Sequence, residues 1–286
     1  MDFIGNKQKI YLLKKILEKG SFAQAYLFSG PESVGKFNLA RAFSKGIIND
    51  GNLDFSDSHH IDVLILSPEK EEKRNIIREK EIPIEKVRFF LKDLSLYPQK
   101  GKRKVLVIRN AHKLTKSAQN ALLKNLEEPN STSIIILVTH EESSILPTIK
   151  SRCNVLRFNL TSNEEMEENF GSEISNISMG RPGIAKVISG DRNEKKKHEE
   201  IFHNIEKLSQ LDEVDKMEFA ERISKDKTLS IKFLNIWIWK IRNKAIEYNN
   251  IEEGFEKIEK IEKSLRLLKS TNVNSRLLLE NLLINI

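Results

Sequence analysis

The sequence predicts an α/β fold, a five-stranded parallel sheet covered by helices and followed by a wholly helical segment. Three observations carry this. Short apolar runs alternate with helical patterns up to about Leu160, the signature of strands linked by crossover helices. A glycine loop joins the first strand to the first crossover helix in "LFSGPESVGKF" (27–37). Beyond Leu160 strand signals cease.

The five strands are "AYLF" (Ala25 to Phe28), "VLIL" (Val63 to Leu66), "VLVI" (Val105 to Ile108), "IIILV" (Ile134 to Val138) and "VLRF" (Val155 to Phe158). Each is apolar on both faces, as strands covered on two sides must be. "GKFNLARAFSKGI" follows the first strand and "PIEKVRFFLKDLSLY" precedes the third. "SAQNALLKNLEE" precedes the fourth, with Ala118, Leu122 and Leu126 on one helical face. It ends before Pro129 because the residue preceding proline avoids helical angles. "ISMGRPGIAKVISG" reads as a turn and a helix with Pro182 in its first turn. From about Lys195 the pattern is helical. "FEKIEKIEKSLRLL" sets Phe255, Ile258, Ile261, Leu265 and Leu268 at helical spacing. "IKFLNIWIWKI" is apolar nearly all round, which makes Trp237 and Trp239 core or subunit-contact residues.

The 286 residues suffice for about two domains. With 39% hydrophobic and 31% charged residues the balance is that of an ordinary globular protein. No apolar run reaches the roughly 18 residues of a membrane span. "MDFIGNKQKI" lacks a charged-then-apolar leader, so the expected compartment is the cytoplasm. The single cysteine, Cys153, excludes internal disulfides and a cysteine-rich zinc site. A net charge of +7 is compatible with a nucleic-acid neighbourhood without establishing one. The densest basic run, "KGKRK" (100–104), is either a solvated turn or a surface facing DNA. In "NDGNLDFSDSHH" (49–60), His59 and His60 are adjacent and diverge on any regular backbone; the stretch reads as a surface loop, and no metal site is expected.

The loop carries the chemistry. Gly30 and Gly35 let backbone amides turn inward, and the new helix adds its positive end. Lys36 is placed to reach β- and γ-phosphates. The pattern then fails: Phe37 stands where a Ser or Thr hydroxyl would hold Mg²⁺. After the third strand, "VLVIRNAHKL" offers Arg109 and Asn110 where a metal carboxylate and a catalytic acid are needed. A guanidinium roughly 4 Å from a dication is repelled by several kcal/mol at intermediate dielectric. Asn110 cannot act as a base toward water. Hydroxyl, carboxylate and acid are all lost, so hydrolysis at this site is not expected. Weak ATP or ADP binding through the loop stays open beside a purely structural loop. A small-molecule kinase would need its own acid, metal ligands and lid arginines, and no such set is present.

"AQAYLFSGPESVGK", "KVLVIRNAHKLTKSAQNALLKNLEEP" and "ILPTIKSRC", with "IGNKQKIYLLKKIL" and "NVNSRLLLENLL" toward the two ends, resemble the bacterial clamp loader subunits of the AAA+ class. The resemblance implies an AAA+ P-loop core over 1–160 with strand order 5-1-4-3-2, a helical lid over 161–194 and an all-helical collar over 195–286 that mediates oligomerisation. It implies that Arg152, in the Ser151-Arg152-Cys153 triplet, reaches the ATP of a neighbouring subunit; the residues alone read as a charged turn with Cys153 packed as a small hydrophobe. It places Thr139 and Arg181 at two nucleotide-sensor positions, where both are open to being relics.

Two branches of the family compete. The losses at Phe37, Arg109 and Asn110 favour the non-hydrolysing delta-prime type over the gamma/tau ATPase, which remains the alternative. Many relatives carry a four-cysteine zinc insertion before the second strand; this sequence has none there, so neither zinc nor any other required cofactor is expected. The partners implied are gamma/tau motor subunits and delta in a five-subunit ring, with the sliding clamp and primed DNA engaged through the complex and no membrane. The chain would thus belong to a DNA polymerase III holoenzyme assembly while not being an enzyme on its own, since no residue supports nucleotide polymerisation by it.

Overall fold

The computed structural model describes residues 3–49, 51–73, 76–270 and 273–286. Contacts divide the chain into two compact units, Met1–Lys186 and Val187–Ile286.

In the first unit α1 (Lys7–Lys19) precedes β1 (Ala25–Ser29), and α2 (Lys36–Ile48) follows it. Then come β2 (Val63–Leu66), a hairpin of β3 (Lys70–Lys73) and β4 (Ile76–Glu79), α3 (Ile84–Leu94) and β5 (Lys104–Ile108). After these run α4 (Lys116–Glu127), β6 (Ser133–Val138), α5 (Pro147–Lys150) and β7 (Asn154–Arg157). Five strands form one parallel sheet in the order β2-β5-β6-β1-β7. Counted as the five apolar runs from the far edge, that is 5-1-4-3-2, as expected. The antiparallel β3-β4 pair forms a separate sheet; nothing in the sequence reading anticipated it.

Alternation along each strand builds two cores. Leu27, Leu106, Ile108, Ile135 and Leu137 pack with Val87, Leu91, Leu122 and Leu126 from α3 and α4. Tyr26, Phe28, Val105, Val107, Ile136 and Val138 pack with Leu13, Leu39, Phe43 and Ile47 from α1 and α2. The two-sided apolar strands thus have the reason inferred for them.

The basic run before β5 is not uniformly solvated. Lys104 is buried and its Nζ meets Asp93 Oδ1 at 2.6 Å. Ahead of it, the backbone amides of Gln99, Lys100 and Gly101 all donate to the carboxylate of Asp62 at 2.7–2.9 Å. In the polar segment before β2, His60 Nδ1 accepts the Asp62 amide at 3.2 Å. The buried Lys45 bonds the backbone oxygen of Ser56. Asp50 lies outside the described residues.

Three shorter helices follow β7: α6 (Asn163–Phe170), capped by Ser162 Oγ, then α7 (Ser172–Ser178) and α8 (Pro182–Gly190). The second unit is helical throughout its described residues, with α9 (Arg192–Lys207), α10 (Glu213–Ser224), α11 (Lys227–Glu247), α12 (Ile251–Ser270) and α13 (Ser275–Ile284). Asp191, Asp212, Asp226 and Asn274 each cap a helix start with a side-chain oxygen. A Cβ added at Gly254 of α12 would lie 2.4 Å from Ala245 Cβ of α11, so that crossing requires glycine. Trp237 is buried, whereas Trp239 is half-buried against Phe202, ring centroids 5.9 Å apart. Phe255 corrects the periodicity reading: Ile261 and Leu268 are buried, but Phe255 is exposed. Among the described residues no helix is long and apolar enough to cross a membrane.

Candidate functional site

The phosphate-type loop lies at the carboxyl edge of the sheet, between β1 and α2. Gly30 has φ +134, and a Cβ there would sit 2.2 Å from the Phe158 carbonyl oxygen. Gly35 has φ +88 and lies under the Phe3 ring. Both positions demand glycine for stated steric reasons. The loop is also clamped from outside, since the Gly183 amide at the start of α8 donates to the Ser33 carbonyl at 2.8 Å.

Lys36 is buried and turned into its own loop, donating to the carbonyls of Gly30, at 2.7 Å, and Pro31. Burial lowers its pKa to about 8, with nearby Arg181 pushing the same way against Glu32. Burial also lowers the Arg181 pKa, Glu32 opposing, and the Arg181 Nε is buried without a hydrogen-bond partner. Two desolvated cations beside a turn of amides suit a polyphosphate. A cavity of about 160 Å³ adjoins this turn, walled by Phe3, Phe55, Asn38, Arg41 and Gly183.

The metal half of the site is different. Phe37 is half-buried, and the exposed Arg109 guanidinium lies over its ring, 5.0 Å from the centroid. The two departures from a working site therefore touch, as a cation–π pair. Asn110 follows at φ 52, a left-handed conformation that asparagine tolerates better than most residues. Its Nδ2 donates to Glu79 Oε2 at 2.7 Å, tying the end of β5 to the hairpin. The donor set at these positions is a ring, a guanidinium and a committed amide, which does not fit Mg²⁺. In a double-mutant cycle, Phe37→Ala and Arg109→Ala are expected to couple by about 0.5–1 kcal/mol, as for an exposed cation–π pair; strictly additive denaturation midpoints would refute the contact.

Thr139, buried at the end of β6, has Oγ1 accepting the Glu141 amide at 3.0 Å and lying 3.3 Å from His112 Nδ1. The structure thus brings Gly30, Gly35, Lys36, Phe37, Arg109, Asn110, Thr139 and Arg181 to the loop side of the first unit.

Arg152 lies apart from them. It precedes β7, whose Asn154 pairs with Tyr26 near the start of β1. Gly30 is four residues further along β1, roughly 13 Å at about 3.3 Å per residue. Arg152 is therefore at the amino edge of the sheet and the phosphate-type loop at the carboxyl edge. Its guanidinium is exposed, with one nitrogen 2.8 Å from Glu127 Oε1 and another donating to the Thr148 carbonyl at 3.0 Å. Cys153 beside it is part-buried, and burial pushes its thiol pKa up to about 11, which makes it inert packing.

Sequence reasoning missed Gln119. It is buried on α4, donates to the carbonyls of Leu114 and Ser144, and accepts the Leu146 amide at 2.9 Å. It thereby ties α4 to the segment leading into Arg152. The signal was one amide beside the apolar stripe of α4.

Comparison with known proteins places this arrangement. The profile of the family described as "DNA polymerase III, delta subunit" matches residues 5–162, more than half of the chain. The chain belongs to this family. It is 33% identical over 147 residues to DNA polymerase III subunit delta' of Pseudomonas aeruginosa, covering 47% of this chain and 43% of that one. It is 29% identical over 171 residues to the subunit tau of Escherichia coli, covering 56% and 25%. The chain thus spans less than half the length of these two relatives. A replication factor C small subunit of Methanococcus maripaludis is 28% identical over 239 residues, covering 76% and 69%. Among solved structures, a DNA polymerase III gamma subunit-related protein of Thermotoga maritima aligns at TM-score 0.54 with 21% identity, covering 96% and 97%. The fold is that of the AAA+ clamp loader proteins.

Proposed function

We propose that the chain is a delta-prime-type stator of a replicative clamp loader: a subunit that does not hydrolyse ATP and supplies Arg152, in trans, to the nucleotide of a neighbouring ATPase subunit. The stacking of Arg109 on Phe37 carries this reading. It replaces both groups that would hold Mg²⁺ with one self-satisfied contact, while the loop fold survives. Arg152 supports the other half, because it is exposed on the edge of the sheet away from its own loop.

In this reading residues 1–160 form the AAA+ body, 161–194 the lid and 195–286 the collar that joins a five-subunit ring with gamma/tau and delta. The clamp and primed DNA are met through the assembled ring, in the cytoplasm. ATP at the shared interface favours the clamp-opening arrangement through its differential affinity for two states. No zinc and no required cofactor enter. Lys36 and Arg181 hold at most a magnesium-free ADP or ATP, weakly.

The tau relatives match a longer stretch of the chain than the delta' relative does, which keeps a gamma/tau-type ATPase as the second reading. A phosphate-release assay on the purified chain with Mg²⁺ and ATP separates the two. No turnover above the Lys36→Ala control is expected; turnover abolished by that substitution would establish the ATPase instead. Titration calorimetry with ADP adds a sign check. Lys36 loses its charge as pH rises through about 8, so any affinity present at pH 7 is expected to fall by pH 9.

A further inference from the structure

We propose that Glu127 is a positioning residue for Arg152, a carboxylate that parks the guanidinium until the phosphate of a neighbouring subunit displaces it. The inference rests on the finger reading above and adds to it a regulation of that same group.

Two arginine–carboxylate pairs flank β7, and they differ in kind. Arg157 clamps Glu142 through both Nε and a terminal nitrogen, at 3.1 and 2.7 Å. Those bonds to Arg157 hold the Glu142 carboxyl below its ordinary pKa. That fork is bidentate, the geometry that fixes a guanidinium's orientation. Arg152 meets Glu127 through one terminal nitrogen only; the other donates to the Thr148 carbonyl and, at 3.5 Å, to Ser151 Oγ. Its Nε takes no partner among the described residues, so the guanidinium is steered rather than locked.

The position of Glu127 sharpens the point. It is the last residue of α4. A carboxylate at a helix C-terminus faces the negative end of the helix dipole and does nothing for that helix. What it meets instead is a cation 25 residues further along the chain. A triphosphate carries more charge than one carboxylate and takes a guanidinium by two parallel bonds. It therefore wins the exchange, but Glu127 sets the threshold. The carboxylate also repels a phosphate approaching before the guanidinium has swung free. Since the pair is exposed, the threshold is small, about two- to five-fold in apparent affinity.

The test uses the loader reconstituted with its ATPase subunits, primed DNA and clamp, with ATP titrated against steady-state turnover. Glu127→Gln keeps the shape and removes the charge. It is expected to lower the KM for ATP two- to five-fold with kcat unchanged, whereas Glu127→Asp stays near wild type. In the Arg152→Ala background, Glu127→Gln is expected to do nothing. A KM unchanged or raised by Glu127→Gln, in a loader where Arg152→Ala still cuts turnover, would overturn the parking role alone. If Arg152→Ala itself changes nothing, the finger reading fails and parking falls with it. Matching thermal melts of the isolated variants exclude a folding defect as the cause.

Discussion

Arg152→Ala is expected to leave the subunit folded and able to assemble, yet to cut ATP turnover at the one interface it serves by about 10³-fold or more. The structural side of this expectation is direct. Arg152 is exposed and its contacts are the Glu127 carboxylate, the Thr148 carbonyl and, at 3.5 Å, the Ser151 hydroxyl. Losing these costs the isolated chain at most about 1 kcal/mol. The functional side follows from geometry: a guanidinium at the amino edge of the sheet has no access to the loop at the carboxyl edge. In the proposed reading the phosphate it meets belongs to another chain. Total turnover of the ring should fall by the share of that interface, without loss of complex in gel filtration. Wild-type turnover with Arg152→Ala would remove the finger role.

Asp62→Ala is expected to be the costliest single polar substitution in the first unit, about 2–4 kcal/mol in chemical denaturation. The carboxylate is fully buried and accepts three consecutive amides, which fixes the turn that feeds β5 into the centre of the sheet. Burial works against the charge, but the bonds from Gln99, Gly101 and Lys100 outweigh it, with His60 assisting, and the carboxyl is held below its ordinary pKa. The sign follows. With the folded-state value depressed, this contribution is fully present above about pH 4, the unfolded value. It is lost as pH falls through the lower folded value. Asp62→Ala should therefore weaken the protein strongly at pH 7 and progressively less as pH falls below about 4. A pH-independent loss would show that packing, and not the buried anion, holds the turn.

Much of this architecture was legible before any coordinates. A strand with apolar residues on both faces has few homes other than the middle of a covered sheet, so the five runs and their helices could be read directly. The β3-β4 hairpin escaped because "KEEKRNIIRE" (70–79) is dominated by charge. Phe255 misled because helical spacing tells which residues share a stripe, not where along the helix a neighbour covers it. At the site, each substituted residue was identifiable alone. That Phe37 and Arg109 touch was not, because they sit 72 positions apart and only the sheet order brings their elements together. The Glu127 contact was hidden for the same reason: it depends on a partner that folding supplies.

In the proposed reading, the ring of Phe37 and the cation of Arg109 also make a return to hydrolysis a two-step change. A hydroxyl at position 37 would leave the Arg109 charge without its ring, and a carboxylate at position 109 would face the negative face of that ring. Either substitution alone discards the contact between the Arg109 guanidinium and the Phe37 ring. A chain carrying this stack therefore reaches a metal-binding pair only through an intermediate that has lost the contact and gained one ligand alone.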